Sequence, residues 1–382
     1  MSDPIVIIGS GFAAYQLVKA IRRQDANAHL CVITADDGHD YNKPDLSHVF
    51  SKAQNKDDLV LATGEEFAQQ HQLTLLSGSK VDSIDAQSHC VRVNGERIHY
   101  SKLVLATGAS PYIPLIEGNG VERVRTLNSL DEFAEHHDAL NDAQNVMVLG
   151  GGLIGVEIAL DLANAGKNVV LVEPAPTLMV NQLPELVGLK LQQHLRSQGI
   201  DIHTNAKVEQ LNQLGNKQSA RLNNDLVLEV DEVVVCAGLR ANTELALSTG
   251  ALVNKGIVVD QTMQTTLVDI YALGDCAEFM GEVRAYLQPI LLSANALAKT
   301  LLGTPTEVVL PTMMVKVKTP SYPIQLAGVT SGSEIERWQI DAQSHGMVAK
   351  AYNSDNQPIG FIATDQMASQ AFALLRELAT KY

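Results

Sequence analysis

The sequence predicts an α/β fold in which two parallel-sheet units of one design are followed by a smaller α+β domain. Three observations carry that prediction. A pattern of strand, glycine turn, helix, strand and carboxylate at residues 5–36 returns at 146–173. Each copy is followed by an apolar strand ending on glycine, at 102–108 and 232–238. From about Glu307 the pattern changes to short strand signals separated by turns.

The first copy opens with the apolar run Ile5–Ile8, then Gly9-Ser-Gly11-Phe-Ala-Ala14. An amphipathic run reaches Arg23, and a second apolar strand, Leu30–Ile33, leads to Asp36. Gly9 suits a tight turn out of the strand. Gly11, without a side chain, lets a pyrophosphate approach the helix N-terminus, where free N–H groups and the dipole favour anions. Ala14 is small enough for helix and strand to pack closely. The strand before, the helix after and the acid beyond supply the context that a lone Gly-x-Gly-x-x-Ala would lack.

The second copy reads Val-Met-Val-Leu149, Gly150-Gly-Gly152-Leu-Ile-Gly155, a helix to about Ala165, a strand at 169–172, and Glu173. A carboxylate there accepts hydrogen bonds from both hydroxyls of an adenosine ribose and repels a 2′-phosphate. The following Pro174-Ala175-Pro176 offers no cation for such a phosphate. These residues favour NADH over NADPH. Two units imply two dinucleotides.

The remaining candidates lie after the units. Ala106-Thr107-Gly108 and Ala237-Gly238 end their strands with small residues that leave room for stacked rings. A strand at 269–273 stops on Gly274-Asp275, and an acid so placed suits ribityl hydroxyls. Lys43, held extended by the following Pro44, could meet an FAD phosphate or the flavin ring. Val81 is counted among the expected cofactor contacts. Near the C-terminus, strands are expected at 313–318, 324–327, 347–352 and 359–363, then one helix over 366–380.

Composition narrows the function classes. The 382 residues are 46% hydrophobic and 19% charged, ordinary for a soluble α/β protein. No apolar run approaches the ~20 residues of a membrane helix. The chain enters an apolar strand almost at once, without a basic leader or cleavage site, so a cytoplasmic location is expected. A formal charge of −15 argues against nucleic acid or an anionic membrane as partner. The four cysteines, Cys31, Cys90, Cys236 and Cys276, are widely spaced and form no Cys-x-x-Cys, so neither a disulfide framework nor a metal site is expected.

Together these motifs resemble the two-dinucleotide flavoprotein reductases of the glutathione-reductase-like superfamily, in the same order along essentially the whole chain. Narrower features are Tyr41-Asn-Lys-Pro-Asp-Leu-Ser-His48, Tyr271-Ala-Leu-Gly-Asp-Cys-Ala-Glu278, Leu287-Gln-Pro-Ile290 and Val315-Lys-Val-Lys-Thr-Pro320. That set is similar to rubredoxin reductases. The resemblance implies two Rossmann-like domains: an FAD domain over 1–112, an NAD domain over 113–240, a return to the FAD domain over 241–306, and a C-terminal domain over 307–382. It implies FAD contacts from Gly9, Gly11 and Asp275, with Lys43 close to the cofactor, and NADH contacts from Gly152 and Glu173. Glu157 would lie near the nicotinamide, and Lys318 would approach the flavin from the C-terminal domain.

Disulfide reductases of this superfamily carry a cysteine pair, and related oxidases a single cysteine, shortly after the first unit. This chain has Tyr41-Asn42-Lys43 there instead. Flavin is then the expected redox centre, with no strictly catalytic side chain. The implied acceptor is a rubredoxin or the rubredoxin domain of a flavorubredoxin, in nitric oxide detoxification. Two alternatives stay open: an NADH oxidase or peroxidase on a small acceptor, and a non-enzymatic redox sensor. For docking, strand alternation would place Lys316 and Lys318 on one face, as a basic cluster together with Lys43.

Overall fold

The structure, a computed structural model, describes residues 3–379. The chain divides into two compact units. The first comprises Met1–Lys43, Lys56–Ser110 and Leu239–Leu310. Its centre is a five-stranded parallel sheet with Ile5–Ile8 in the middle, flanked by Leu30–Ile33 and Thr74–Leu76 on one side and by Lys102–Leu105 and Ile270–Ala272 on the other. The four residues of Ile5–Ile8 are buried on both faces, as a central parallel strand requires. Ile7 registers with Val32 and with Val104. The helix Phe12–Gln24 presents Ala14, Leu17, Val18 and Ile21 to this core and packs against the helix Leu287–Leu301. A three-stranded antiparallel sheet, Val81–Asp85, Cys90–Val93 and Glu96–His99, completes the unit's larger elements.

The second unit comprises Pro44–Asn55, Pro111–Gly238 and Pro311–Tyr382. It repeats the parallel arrangement in four strands, ordered Asp201–Thr204, Asn168–Glu173, Asn145–Leu149 and Glu232–Val235. Beside it lies an antiparallel sheet of Val208–Leu214, Lys217–Leu222 and Val227–Val230. The same unit holds a five-stranded antiparallel sheet, ordered Met314–Val317, Ile324–Gly328, Pro358–Thr364, Gly346–Tyr352 and Arg337–Gln343. The helix Ala371–Ala379 covers it through Leu374 and Leu378 on Ala327, Phe361 and Ala363.

The expected fold class is the one observed. Two details of the C-terminal domain differ. The single helix expected over 366–380 is a 3-10 turn, Asp365–Gln370, and then the α-helix Ala371–Ala379; Lys381 and Tyr382 and the predicted end at residue 380 lie outside the described residues. The edge strand Arg337–Gln343 was not expected, because most of its residues are exposed and the apolar signal of a buried strand is missing.

Candidate functional site

The two glycine turns have the same construction. Gly9 has φ 111°, and a Cβ there would lie 2.3 Å from the Ala106 carbonyl oxygen. Gly150 has φ 110°, and its Cβ would lie 2.4 Å from the Cys236 carbonyl oxygen. In both, the turn presses on the end of the neighbouring strand, so only glycine fits. Each turn is pinned by a main-chain bond, Gly9 N–H to Ile33 and Gly150 N–H to Val172. The third motif positions differ. Ala14 is fully buried, whereas a Cβ on Gly155 would lie 1.9 Å from the Gly150 carbonyl oxygen.

Above each turn the space is open. Gly11 and Gly152 are the N-caps of their helices, without a side-chain cap, and a Cβ on either would meet nothing within 4 Å. Gly108 and Gly238, at φ 66° and 109°, are equally open. Uncapped N–H groups facing open space fit a pyrophosphate. The residues therefore suit the dinucleotides that the sequence implies.

The acids beyond the turns are already engaged. Asp36 Oδ1 accepts from Ser10 Oγ at 2.6 Å, Thr34 Oγ1 at 2.7 Å and Gly38 N–H at 2.9 Å. Glu173 Oε2 accepts from Gly151 N–H at 2.5 Å, and Oε1 from Ala175 N–H at 2.7 Å. Each Glu173 oxygen, with two lone pairs and one such donor, can still accept a ribose hydroxyl, whereas at Asp36 the three donors crowd Oδ1 and leave Oδ2 for that role.

In the first unit, Gly274 at φ 85° abuts the nucleotide helix: its Cβ would lie 2.6 Å from that of Ala13. Asp275 then stands with Oδ2 4.0 Å from Lys43 Nζ; Lys43 is not extended, as the following proline suggested, but opens the 3-10 turn Lys43–His48. Thr107 and Gly108 are braced by Asn242, which donates from Nδ2 to Thr107 O at 2.8 Å and from its main chain to Gly108 O at 3.0 Å. Thr107 Oγ1 donates back to Asn242 O at 2.8 Å. Nothing in the sequence pattern pointed to Asn242. Val81 is 4% exposed, with its side chain in the core and its main chain paired with Val93, so the side chain offers no surface to a ligand.

In the second unit, Glu157, Pro44 and Lys318 come together. Glu157 is 3% exposed. Its Oε2 accepts from Ser47 Oγ at 2.8 Å and its Oε1 from Lys318 N–H at 2.7 Å. Lys318 Nζ donates to Pro44 O at 2.6 Å and lies 3.5 Å from Asp45 Oδ1. Lys316 is elsewhere, its ammonium 5.7 Å from the ring centroid of Phe372. The strand ends at Val317, which is buried, with the exposed Lys316 before it and the half-buried Lys318 after it.

Comparisons with known proteins bear on the same segments. Residues 3–296 match the family model for pyridine nucleotide-disulphide oxidoreductases, and residues 307–378 match the rubredoxin binding C-terminal domain. The chain is 51% identical over 380 residues, covering 100% of both chains, to the nitric oxide reductase FlRd-NAD(+) reductase of Aliivibrio fischeri. It is similar in structure to the ferredoxin reductase for the CYP199A2 system from Rhodopseudomonas palustris, with a TM-score of 0.88 and 26% identity over 97% of this chain and 93% of that one. NADH:rubredoxin oxidoreductase from Clostridium acetobutylicum shares the fold at a TM-score of 0.81 and 20% identity, over 100% and 96% of the two chains.

Proposed function

The chain belongs to the pyridine nucleotide-disulphide oxidoreductase family, and from that premise we propose that it is an FAD-dependent enzyme that oxidises NADH and reduces a rubredoxin-type iron site. The observation that carries this reading is the rubredoxin-binding domain match at residues 307–378, directly after two nucleotide units. The name of the Aliivibrio relative supports a rubredoxin domain of flavorubredoxin as the acceptor, in nitric oxide detoxification. A cytoplasmic location fits the reading; no helix among the described residues is long and apolar enough to cross a membrane.

The residues divide the work. The helix N-terminus at Gly11 binds the FAD pyrophosphate, Asp36 an adenosine ribose, and Asp275 the ribityl chain. Lys43 places a cation beside that chain. The helix N-terminus at Gly152 binds the NADH pyrophosphate, and Glu173 takes the ribose diol and repels a 2′-phosphate. In the first unit Gly108 has no side chain and Thr107 turns its hydroxyl to Asn242, which leaves room for a flavin ring; in the second, Gly238 leaves room for a nicotinamide. Bound FAD would supply the redox chemistry, which couples two-electron oxidation of NADH to one-electron reduction of iron. No cysteine lies between Cys31 and Cys90, so no thiol follows the first unit to act as an intermediate carrier.

Purified protein should release FAD on boiling at near 1:1 and should reduce a rubredoxin with NADH. Steering between charged proteins weakens as the Debye length shrinks from ~10 Å at 0.1 M salt to ~3 Å at 1 M. Rubredoxin reduction should therefore slow with salt, and Lys316→Glu should impair it more than ferricyanide reduction. Release of FMN alone would refute the cofactor assignment. If no rubredoxin is reduced faster than by free flavin, the acceptor is wrong.

A further inference from the structure

The second nucleotide helix, Leu153–Asn164, is apolar and buried over Gly155–Leu162, yet it carries two carboxylates one turn apart. Glu157 is 3% exposed and Asp161 2%. Nucleotide binding at the helix N-terminus calls for no charge at residue 161, and a buried carboxylate is costly unless hydrogen bonds satisfy it. Asp161 is well satisfied. Its Oδ2 accepts from Phe50 N–H at 2.8 Å, and its Oδ1 from Ser51 N–H at 3.2 Å and from Ser51 Oγ–H. Those donors all belong to the segment that follows Lys43 in sequence.

The bonds continue from that segment. Its 3-10 turn, Lys43–His48, presents the Pro44 carbonyl to Lys318 Nζ, while Glu157 holds Ser47 and the Lys318 main chain. Lys318 is thus fixed at both ends, its main chain by Glu157 and its ammonium by the segment that Asp161 anchors. The loop after Lys318 is tied to the helix Glu185–Ser197 as well, through Ser321 Oγ and His194 Nε2 at 2.8 Å. His48 faces Glu157, Asp161, Lys318 and Lys52; burial lowers its pKa, so at neutral pH it adds no cation to the group. Phe50 also packs edge-on against Phe133 at 6.2 Å between centroids.

We propose that Asp161 is a positioning residue for electron exit: it anchors the segment Pro44–Ser51, which holds Lys318 of the rubredoxin-binding domain in place for an iron partner. Asp161 acts through the main chain of Phe50 and Ser51 and then through the Pro44 carbonyl. It touches neither cofactor nor partner. The proposal rests on the rubredoxin reading above. A purely structural role would lower stability and FAD content and slow every acceptor together; a positioning role separates the acceptors.

The test uses full-length holoenzyme carrying Asp161→Asn, with Ser51→Ala as a milder variant that keeps the carboxylate. Asparagine lacks the charge and turns a donor toward one of the N–H groups. Amide exchange in the peptide covering 44–51 should quicken about tenfold or more while that of 153–164 is unchanged. The kcat/KM for rubredoxin should fall about tenfold, with ferricyanide turnover within about twofold of wild type. Ser51→Ala should move both readings in the same direction by less, and it decides the matter if the asparagine variant does not fold. Unchanged exchange, or a parallel fall for both acceptors, overturns the proposal. If the wild-type enzyme reduces no rubredoxin, the functional reading fails and the exit role fails with it, while exchange still reports whether the anchor exists.

Discussion

The two nucleotide helices begin alike and end differently. Both start at a glycine N-cap over open space, behind a turn pressed on a neighbouring carbonyl. Phe12–Gln24 then becomes amphipathic, with Lys19 and Arg22 used for surface contacts such as the 2.7 Å bond to Asp40 and the 2.8 Å bond to Ala28 O. Leu153–Asn164 is buried nearly throughout and uses Glu157 and Asp161 to hold other segments. The turn is generic to dinucleotide binding. What separates the two helices lies one and two turns further along the second, where Glu157 and Asp161 are buried carboxylates.

The largest expected effects come from the turns themselves. Gly9→Ala and Gly150→Ala each place a Cβ under 2.5 Å from a carbonyl oxygen at positive φ. Gly9→Ala should abolish FAD retention. Gly150→Ala should keep FAD and lower NADH turnover by about a hundredfold or more. Gly152→Ala meets no protein atom within 4 Å, so it should keep both FAD and Tm while raising the KM for NADH about tenfold. Titration of FAD content, thermal melts and steady-state kinetics separate the three. An unaltered KM in Gly152→Ala would remove the NADH pyrophosphate from that helix terminus.

A smaller effect is expected at the acids. A preference for NADH over NADPH of at least about tenfold in kcat/KM is expected, for which like-charge repulsion at Glu173 need supply only ~1.4 kcal/mol. Glu173→Gln should narrow that preference toward unity, with a lesser cost in NADH binding because glutamine can still accept the Gly151 or the Ala175 N–H. Asp36→Asn, in the first unit, should leave the coenzyme ratio untouched and weaken FAD instead. If the ratio moves with Asp36 and not with Glu173, the two units have been assigned the wrong way round.

The repeat itself was legible because buried parallel strands and glycine turns are local in sequence. Ile5–Ile8 and Leu30–Ile33 lie where the apolar runs placed them. Arg337–Gln343 was illegible because an exposed edge strand carries little hydrophobic signal. Asp161 was overlooked although a trace of it was present: two carboxylates four residues apart in an otherwise apolar helix are a costly pattern that asks for partners. Those partners, Phe50 and Ser51, are remote in sequence and bind mostly through the main chain, which no side-chain motif records. Asn242 acts on Thr107 and Gly108 across a similar gap in sequence.

The smallest effect should come from the thiols, and they sharpen the comparison because each nucleotide unit has one in its sheet region. Cys31 lies in the strand Leu30–Ile33, and Cys236 follows the strand Glu232–Val235, its carbonyl the one on which Gly150 presses. Burial pushes the Cys31 thiol up to about 11 and the Cys236 thiol up to about 12, and it raises that of Cys276. The thiolate is the nucleophilic, redox-active form, so these groups stay protonated and inert at neutral pH. Cys276 also spends its S–H on Leu105 O at 3.3 Å or Leu273 O at 3.4 Å. Cys90 is buried against Ser88 Oγ at 3.3 Å, in the antiparallel sheet of the first unit. In a variant with Cys31, Cys90 and Cys236 changed to alanine and Cys276 to serine, the hydroxyl at 276 keeps a donor and the Cys236 main-chain carbonyl is retained. Some loss of Tm is expected from the vacated volume. NADH-dependent ferricyanide reduction, measured on FAD-loaded protein well below the melting range, should stay within about threefold of wild type. A loss beyond about a hundredfold in folded, flavin-replete protein would make a thiol the carrier after flavin and restore the oxidase or peroxidase reading.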